Sequence, residues 1–239
     1  MLVNEIITQS ELSEGPNDPH IFKAIFLAGG PGSGKSYVAS KLLNMADYGL
    51  KTINSDDIYE YLAKKATPEL DLSDPKQVYS DRGQDIRNRA KQITMSKQAS
   101  HLDGRLGVII DGTGKDPSKV QKQSDDLKSL GYDTMMLFVN TSEEIAQDRN
   151  KMRPRRLPDE VISKMWKQVQ DNIMKFQQIF GSANFHVVDN SGGLEDPDRK
   201  ENFGNVEKAI RAFINAPATS RIARAWLADQ QQKRVKSDK

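Results

Sequence analysis

The sequence predicts an α/β protein in which a five-stranded parallel sheet is covered on both faces by helices. Short segments that are apolar at nearly every position alternate with longer segments whose apolar residues recur every three or four positions. Strands that are apolar throughout are typical of sheets buried on both faces, because a half-exposed strand would alternate apolar and polar residues. A chain of 239 residues is long enough to bury such a core in one domain.

The composition excludes several other classes of protein. The chain contains no cysteine, which excludes a disulfide framework, a cysteine zinc site and a thiolate nucleophile. No segment approaches the roughly 20 apolar residues of a membrane span. The first 20 residues carry acidic side chains and no basic stretch, unlike a secretory signal, so we expect a cytoplasmic protein. The net charge of +2 is too small to indicate nucleic-acid binding.

The first predicted strand leads directly into a glycine-rich loop. Residues 21–27 are mainly apolar, and the following loop fills the pattern G-x-x-x-x-G-K-[ST] at every required position, ahead of a predicted helix. This strand, loop and helix together predict a phosphate-binding loop rather than a flexible glycine turn. The residues that we expect to bind ATP are Gly29, Gly30, Pro31, Gly32, Ser33, Gly34, Lys35, Ser36 and Tyr37.

Each part of this loop has a physical reason. The glycines allow successive backbone N–H groups to point inward, and the helix that follows adds its positive N-terminal end to the anion site. Lys35 would reach the β and γ phosphates of ATP, and the hydroxyl of Ser36 would be a ligand of Mg²⁺.

The second predicted strand, residues 51–54, ends at two aspartates in the first turn of a helix that extends to about Lys65. Transfer of a phosphoryl group to a hydroxyl requires a base within hydrogen-bond reach of that hydroxyl. Asp56 is the candidate base. Asp57 is a candidate substrate contact, although acids in a first turn also suit the helix dipole, and capping is the simpler interpretation of Asp57.

A long polar helix is predicted from about residue 75 to residue 99, facing solvent or forming half of a substrate wall. The third strand, residues 106–110, ends at Asp111. This carboxylate resembles the acidic end of a second nucleotide-binding strand, where it would hold Mg²⁺ through water, unless the Asp-Gly pair only forms a turn. Thr113 would then face the acceptor or its phosphate.

The remaining predicted elements continue the alternation of helices and strands. In chain order they are a helix opened by Pro117, a strand at 135–139, a helix begun by a capping box at Thr141–Glu144, one amphipathic helix over 162–180, a strand at 185–188, a helix containing Val206 and Phe213, and a basic C-terminal helix.

Ligands of parallel sheets bind beyond the carboxyl ends of the strands. The residues expected at that edge are therefore the phosphate loop, Asp56 and Asp57, the segment 111–114, Asn140, Asp189 and Asn190. Five basic residues lie within the eight positions of segment 149–156, which also contains Pro154. We expect this segment to form a mobile lid over the site, with one or two of its cations acting in catalysis.

Taken in order, these motifs resemble the kinase domain of phage-type polynucleotide kinases, and they are similar to the zeta-toxin branch of the same P-loop kinase superfamily. The resemblance spans residues 21–190 and rests on Gly30–Ser36, Ile53–Asp57, Gly107–Ile110, Thr113, Pro117, Asp148–Asn150, Arg153 and Leu157–Pro158. It implies a three-layer P-loop fold with the strand order of kinases, in which the phosphate-loop strand is central.

The resemblance also implies an activity: transfer of the γ-phosphate of Mg·ATP to a hydroxyl of a polynucleotide 5′ end, a nucleotide or a nucleotide-sugar. It implies that Asp56 is the general base, that Lys35 and Arg153 stabilise the transferred phosphoryl group, and that Arg149 assists in the lid. One position departs from the pattern. In both branches an arginine commonly follows the acidic pair and grips the acceptor, whereas here Ile58 leads to Tyr59, so the acceptor contact is altered.

Two other functions stay open at this point. One is an NTPase that phosphorylates no acceptor, although the sequence has no Asn-Lys-x-Asp guanine motif. The other is a nucleotide-dependent protein whose basic tail binds nucleic acid or a partner, although Ile222, Trp226 and Leu227 give that tail an apolar face suited to packing on its own domain. The predicted organisation is an extension at 1–20, a kinase domain at 21–215 and a basic helix at 216–239.

Overall fold

The computed structural model describes residues 15, 18–43, 48–66, 74–152, 157–192 and 195–237. At its centre lies a sheet of five strands: β1 (Lys23–Ala28), β2 (Lys51–Ile53), β3 (Val108–Asp111), β4 (Asp133–Asn140) and β5 (Phe185–Asp189). The strand order is β2-β3-β1-β4-β5, and each neighbouring pair is parallel. The predicted α/β class, the parallel sheet and the central position of the phosphate-loop strand are confirmed.

Helices connect the strands and cover both faces of the sheet. The described helices are α1 (Lys35–Leu42), α2 (Ser55–Ala66), α3 (Pro75–Val78), α4 (Asp81–Asp103), α5 (Pro117–Ser129), α6 (Glu143–Lys151), α7 (Asp159–Gln170), α8 (Ile173–Phe180), α9 (Pro197–Asn215) and α10 (Arg221–Ser237). None of these helices combines the length and the apolar character that crossing a membrane would require.

Alternate residues of the central strand belong to two separate apolar clusters. Phe26 packs on one face with Phe138 and Phe176, whereas Leu27 packs on the other face with Val38. Successive side chains of a strand point to opposite faces, so a strand buried on both sides is apolar at most of its positions. This burial explains why the strands were visible in the sequence as short continuous apolar runs.

The polar helix predicted from residue 75 to residue 99 is in fact two helices. α3 ends at Val78, and α4 begins after Ser80, whose side chain accepts a hydrogen bond from the backbone N–H of Gly83. A Cβ at Gly83 would lie 2.6 Å from the carbonyl oxygen of Val78. The two helices therefore meet in a tight corner that needs a glycine, and the longer helix extends to Asp103 rather than to residue 99.

The amphipathic segment 162–180 is also divided, between α7 and α8. Asn172, which lies at the break, is buried, and its side-chain amide donates to the carbonyls of Gly114 and Lys115, at 3.1 Å each. A tertiary contact thus interrupts a helical pattern that is continuous in the sequence. The helix after β4 starts one residue later than the predicted capping box, because Ser142 rather than Thr141 accepts from the N–H of Ile145.

The C-terminal helix α10 packs against the domain through its apolar face. The ring of Trp226 lies edge-on to Phe22, with 5.5 Å between ring centroids, and Ala223 is fully buried. Phe22 directly precedes β1, so α10 lies near the N-terminal ends of the strands. The carboxyl ends, where the phosphate loop begins, are at the opposite edge of the sheet.

Candidate active site

The loop between β1 and α1 has the geometry of an anion site. Gly32 and Gly34 adopt positive φ angles of 77° and 84°, which a residue with a Cβ rarely adopts. A Cβ on Gly32 would also collide with the backbone of Ala146, lying 2.8 Å from its Cα atom. Gly34 is the N-cap of α1, so the loop opens at the N-terminus of that helix, where anions are stabilised.

Lys35 and Ser36 occupy the first turn of α1. The Lys35 ammonium group donates a hydrogen bond of 2.9 Å to the carbonyl oxygen of Gly29, so its side chain folds back along the loop. Ser36 is exposed, and its hydroxyl is therefore accessible to an ion beside the phosphates.

Two side chains from other parts of the chain brace the loop from its other side. Arg149, on α6, donates to the carbonyl oxygens of Gly32 and Ser33 at 3.3 Å each, and to that of Asn190 at 2.9 Å. Asn190 is buried at the end of β5, and its amide donates to the Ser33 carbonyl at 2.7 Å. Arg149 and Asn190, which we call the brace, thus engage the carbonyls of Gly32 and Ser33 and hold this part of the loop in place.

A second arginine supports this brace. Arg199, on α9, is 8% exposed and donates to the side-chain oxygen of Asn190 at 2.9 Å. Its guanidinium lies 5.2 Å from the centre of the Tyr37 ring and 4.8 Å from that of Phe203. Burial and the charge of Arg199 lower the pKa of Arg149 from its ordinary value. Two neighbouring cations therefore add positive potential behind the phosphate loop.

A cavity of about 360 Å³ lies on the front of the loop, and we call it the Asp56 cavity. Its lining residues are Pro31, Lys35, Asp56, Arg87, Thr113, Asn150, Leu157 and Met165. Lys35, Asp56 and Thr113 were all predicted as site residues, and the fold brings them together in this cavity from three separate segments. The long helix α4 contributes Arg87 and so forms one wall.

The carboxylate of Asp56 is exposed and does not cap its helix. Instead, the side-chain oxygen of Asn54 accepts a hydrogen bond of 2.8 Å from the backbone N–H of Asp56. Within the described ranges, the Asp56 carboxylate has no hydrogen-bond partner of its own. It is therefore available to a group that enters the cavity.

Three carboxylates converge beside the loop, and Asn54 links two of them. Its amide donates to Asp111 at 3.0 Å and to Asp57 at 3.3 Å. Burial raises the pKa of Asp111, an effect that Lys35 opposes and that Asp57 and Asp56 reinforce. Burial, Glu60 and Asp56 raise the pKa of Asp57. This concentration of negative charge favours a cation or a proton.

The described residues fit a Mg²⁺ ion that is shared with phosphates. No set of three or more His, Cys, Asp or Glu side chains among them is arranged to hold a metal ion alone. One oxygen of Asp111 is buried without a hydrogen-bond partner in the described structure, as expected of a group that binds an ion or its water. Mg²⁺ commonly uses one or two protein ligands together with waters and substrate phosphates, so Ser36 and Asp111 suit it.

Comparison with known proteins identifies the family. The family model named Zeta toxin matches residues 8–201 of the sequence. This chain belongs to the zeta toxin family. With its phosphate loop and its kinase-type sheet, this zeta toxin family member is an ATP-dependent kinase. No curated protein matches the sequence.

Solved structures with TM-scores above 0.5 share the fold of this zeta toxin family kinase. One, from the PezAT chromosomal toxin-antitoxin system of the human pathogen Streptococcus pneumoniae, has a TM-score of 0.55 and 17% identity, over 87% of this chain and 98% of that chain. Another, AvrRxo1-ORF1:-ORF2 with ATP, has a TM-score of 0.52 and 15% identity, over 87% of this chain and 80% of that chain. The Pnkp1/Rnl/Hen1 RNA repair complex matches with a TM-score of 0.49 and 22% identity, over 66% of this chain and 47% of that chain.

Three other predicted site residues of the kinase are Tyr59, Thr113 and Arg153. Thr113 is exposed at the cavity, in a loop whose neighbouring carbonyls are held by Asn172. Tyr59 is only 3% exposed and contacts the Arg87 guanidinium through its ring. Arg153 lies outside the described residues.

Sequence reasoning missed Arg87 and Arg199 and gave no role to Asn190. Asn190 was visible only as a polar residue after a strand. Arg87 was one of many charged residues on a polar helix that was expected to face solvent or to form half of a substrate wall. Nothing local to Arg199 distinguishes it from the other basic residues of the chain, so its role depends on the packing of α9 beside α1.

Proposed function

We propose that this kinase transfers the γ-phosphate of Mg·ATP to a hydroxyl group, with Asp56 as the general base. The acceptor is a polynucleotide 5′ end, a nucleotide or a nucleotide-sugar. The observation that supports this proposal is the Asp56 cavity, which unites Lys35 of the phosphate loop with an exposed carboxylate and with Thr113. An ATP requirement is consistent with a cytoplasmic location.

The position of Asp56 suits a base. Its carboxylate is exposed, its helix is capped by Asn54, and it opens into the cavity in front of the loop. An acceptor in that cavity would place its hydroxyl between Asp56 and the γ-phosphate. Thr113, across the cavity, would donate or accept a hydrogen bond to orient the acceptor.

The proposed step is a displacement at the γ-phosphorus of ATP. Asp56 accepts the proton of the acceptor hydroxyl, and the hydroxyl oxygen forms a bond to the γ-phosphorus. The bond between that phosphorus and the β–γ bridging oxygen breaks, and ADP leaves with the electron pair. Mg²⁺, held by Ser36 and through water by Asp111, would neutralise phosphate charge when bound.

The cations of the site divide into two groups. Lys35 would bind the phosphates directly and stabilise the charge of the transferred group. Arg149 holds the loop carbonyls in place, so we assign it a positioning role in support of the loop. By the family resemblance, Arg153 acts on the transferred phosphoryl group from segment 153–156.

The test is transfer of γ-labelled phosphate from ATP to 5′-hydroxyl oligonucleotides, nucleotides and UDP-sugars. Lys35→Ala and Asp56→Asn should both lower labelling of the acceptor by at least about 100-fold. Asp125→Asn, an exposed aspartate on α5, is the matched control and should label normally. Label that appears only as inorganic phosphate, at a rate unaffected by Asp56→Asn, would contradict the proposal and favour an NTPase.

A further inference from the structure

An arginine of the long helix α4 enters the Asp56 cavity. Arg87 is half-buried and lines the cavity together with Lys35 and Asp56. Its guanidinium carbon lies 4.9 Å from the centre of the Tyr59 ring, in the geometry of a cation–π contact. Tyr59 is 3% exposed, so its ring is a fixed platform for the guanidinium.

Part of the hydrogen-bonding capacity of Arg87 is unused within the described structure. Its Nε atom is buried and has no hydrogen-bond partner among the described residues. No carboxylate in the described ranges forms an ion pair with it either. Buried donors in native proteins are normally satisfied, and a charged donor is the most costly to leave unpaired. Since Arg87 lines a cavity and has no anionic partner among the described residues, an anion that enters the cavity can pair with it.

We infer that Arg87, positioned by Tyr59, forms a subsite for a phosphate group of the acceptor. This inference rests on the proposed function, because that function places the acceptor in the Asp56 cavity. The planar guanidinium presents a fork of donors that matches two phosphate oxygens at once. Each of the three proposed acceptor classes carries such a phosphate.

The charges of the cavity make this subsite selective. Asp56 would repel an anionic acceptor, and Lys35 is occupied by the phosphates of ATP during transfer. Among the described residues that line the cavity, Arg87 is then the cation that can bind the acceptor. An alcohol without a phosphate leaves Arg87 unpaired, so the cavity rejects it.

Binding measurements test the subsite without requiring catalysis. The protein is saturated with Mg²⁺ and a non-hydrolysable ATP analogue, so that the phosphate loop is filled. It is then titrated calorimetrically with two matched pairs, 3′-UMP against uridine and glucose 1-phosphate against glucose. In at least one pair, we expect the wild-type protein to bind the phosphate-bearing ligand roughly 10- to 100-fold more tightly than the neutral ligand. This ratio is the one that a charge-assisted hydrogen bond predicts.

Three variants of α4 make the test specific. Arg87→Gln should abolish the preference for the phosphate-bearing ligand, and Arg87→Lys should retain part of it, since the charge stays and the fork is lost. Arg89→Gln, an exposed arginine two residues along the same helix, should bind like the wild type. All variants should bind the ATP analogue normally, which shows that they are folded.

The platform residue gives an independent readout. Tyr59→Phe keeps the ring beneath Arg87 and should preserve the preference, whereas Tyr59→Leu removes the ring and should weaken phosphate-dependent binding several-fold. If Tyr59 were only a core residue, Tyr59→Leu would lower stability without changing the ratio of the two affinities.

The outcomes separate this inference from the proposed function. Equal wild-type affinity within both ligand pairs overturns the subsite, and so does a preference that survives Arg87→Gln. A preference that Arg87→Gln abolishes, in a protein that phosphorylates none of the hydroxyl acceptors, supports the subsite and refutes the proposed transfer. Phosphorylation of a neutral alcohol as fast as of a phosphate-bearing one supports the transfer and overturns the subsite.

Discussion

The two halves of the site differ in how firmly the fold holds them. On the ATP side, Arg149 and Asn190 bind the carbonyls of the phosphate loop, and Arg199 supports Asn190 in turn. On the acceptor side, Asp56 is exposed without a partner in the described structure, and the buried Nε atom of Arg87 is unsatisfied. The ATP site is thus organised in advance, whereas the acceptor side keeps its polar groups for the ligand.

This difference has a functional meaning. A loop that is rigid before ATP binds loses little conformational entropy on binding, and it holds the phosphate in a defined position. Polar groups that are unsatisfied until the acceptor arrives discriminate against molecules that cannot pair with them. We therefore expect variants of the acceptor side to change catalysis and specificity, and variants of the ATP side to change stability and ATP affinity together.

The largest effect is expected from the acceptor side. Asp56→Asn should lower kcat for acceptor phosphorylation on the order of 10²- to 10⁴-fold, because the amide cannot accept the proton. The dissociation constant of the variant for ATP should stay unchanged, since Asp56 does not contact Arg149 or Asn190, which brace the loop. Steady-state kinetics together with ATP titration measure the two quantities. A parallel loss of ATP affinity would show that the two sides are not independent.

On the ATP side, Asn190→Ala should destabilise the protein by about 2–3 kcal/mol, because the buried site loses the shorter of two hydrogen bonds to the Ser33 carbonyl and the bond from Arg199 to the Asn190 side chain. ATP should bind more weakly as well, since the loop loses part of its brace. Urea unfolding and ATP titration are the measurements. Asn215→Ala, at the exposed end of α9, is the control and should change neither value. Wild-type ATP affinity in Asn190→Ala would argue against the brace.

The loop backbone itself provides the next test. Gly32→Ala should destabilise the protein by at least about 1–2 kcal/mol, because φ is positive there and a Cβ would meet the backbone of Ala146. Gly204→Ala, inside α9 where a Cβ meets no atom within 4 Å, should instead stabilise by up to about 1 kcal/mol. Thermal unfolding of both variants measures this contrast. The same change of stability in both variants would contradict it.

The smallest effect is expected from the pH dependence of stability. The pKa of Asp111 is raised in the folded protein, so the folded state binds its proton more tightly than the unfolded state does. This contribution stabilises the protein below the unfolded pKa, which is near 3.8, and is lost as pH rises through the folded pKa. Asp111→Asn should therefore gain stability over the ligand-free wild type as pH rises from acidic to neutral.

Urea unfolding of both proteins across that pH range is the measurement. A difference between them that stays constant with pH would contradict the assignment of the raised pKa to Asp111. Addition of Mg·ATP should reverse the order at neutral pH, because the ion favours the wild-type carboxylate.

Local sequence was enough to predict the phosphate loop and the class of the sheet. The loop consists of consecutive residues whose special backbone angles require glycine, and its helix begins at the end of the motif. β1, β3 and β4 were recognisable because burial on both faces makes most of their residues apolar. The central place of β1, by contrast, was predicted from the family resemblance and confirmed by the sheet.

Contacts between distant residues decided what the sequence left open. Asn172 divides one amphipathic pattern into two helices because it binds the carbonyls of a loop 57 and 58 residues away in the chain. Arg87 reaches the Asp56 cavity only because α4 packs against α2.

By itself, then, the sequence determined the nucleotide-binding machinery of this protein, since a phosphate loop is built from neighbouring residues with fixed local geometry. The tertiary structure alone decided the partners of that loop and the wall of the acceptor cavity. Those side chains come from α4, α6, α9 and the end of β5, and no local pattern specifies which of their polar residues will meet. Their selection depends on the packing of whole elements, and therefore on the complete fold.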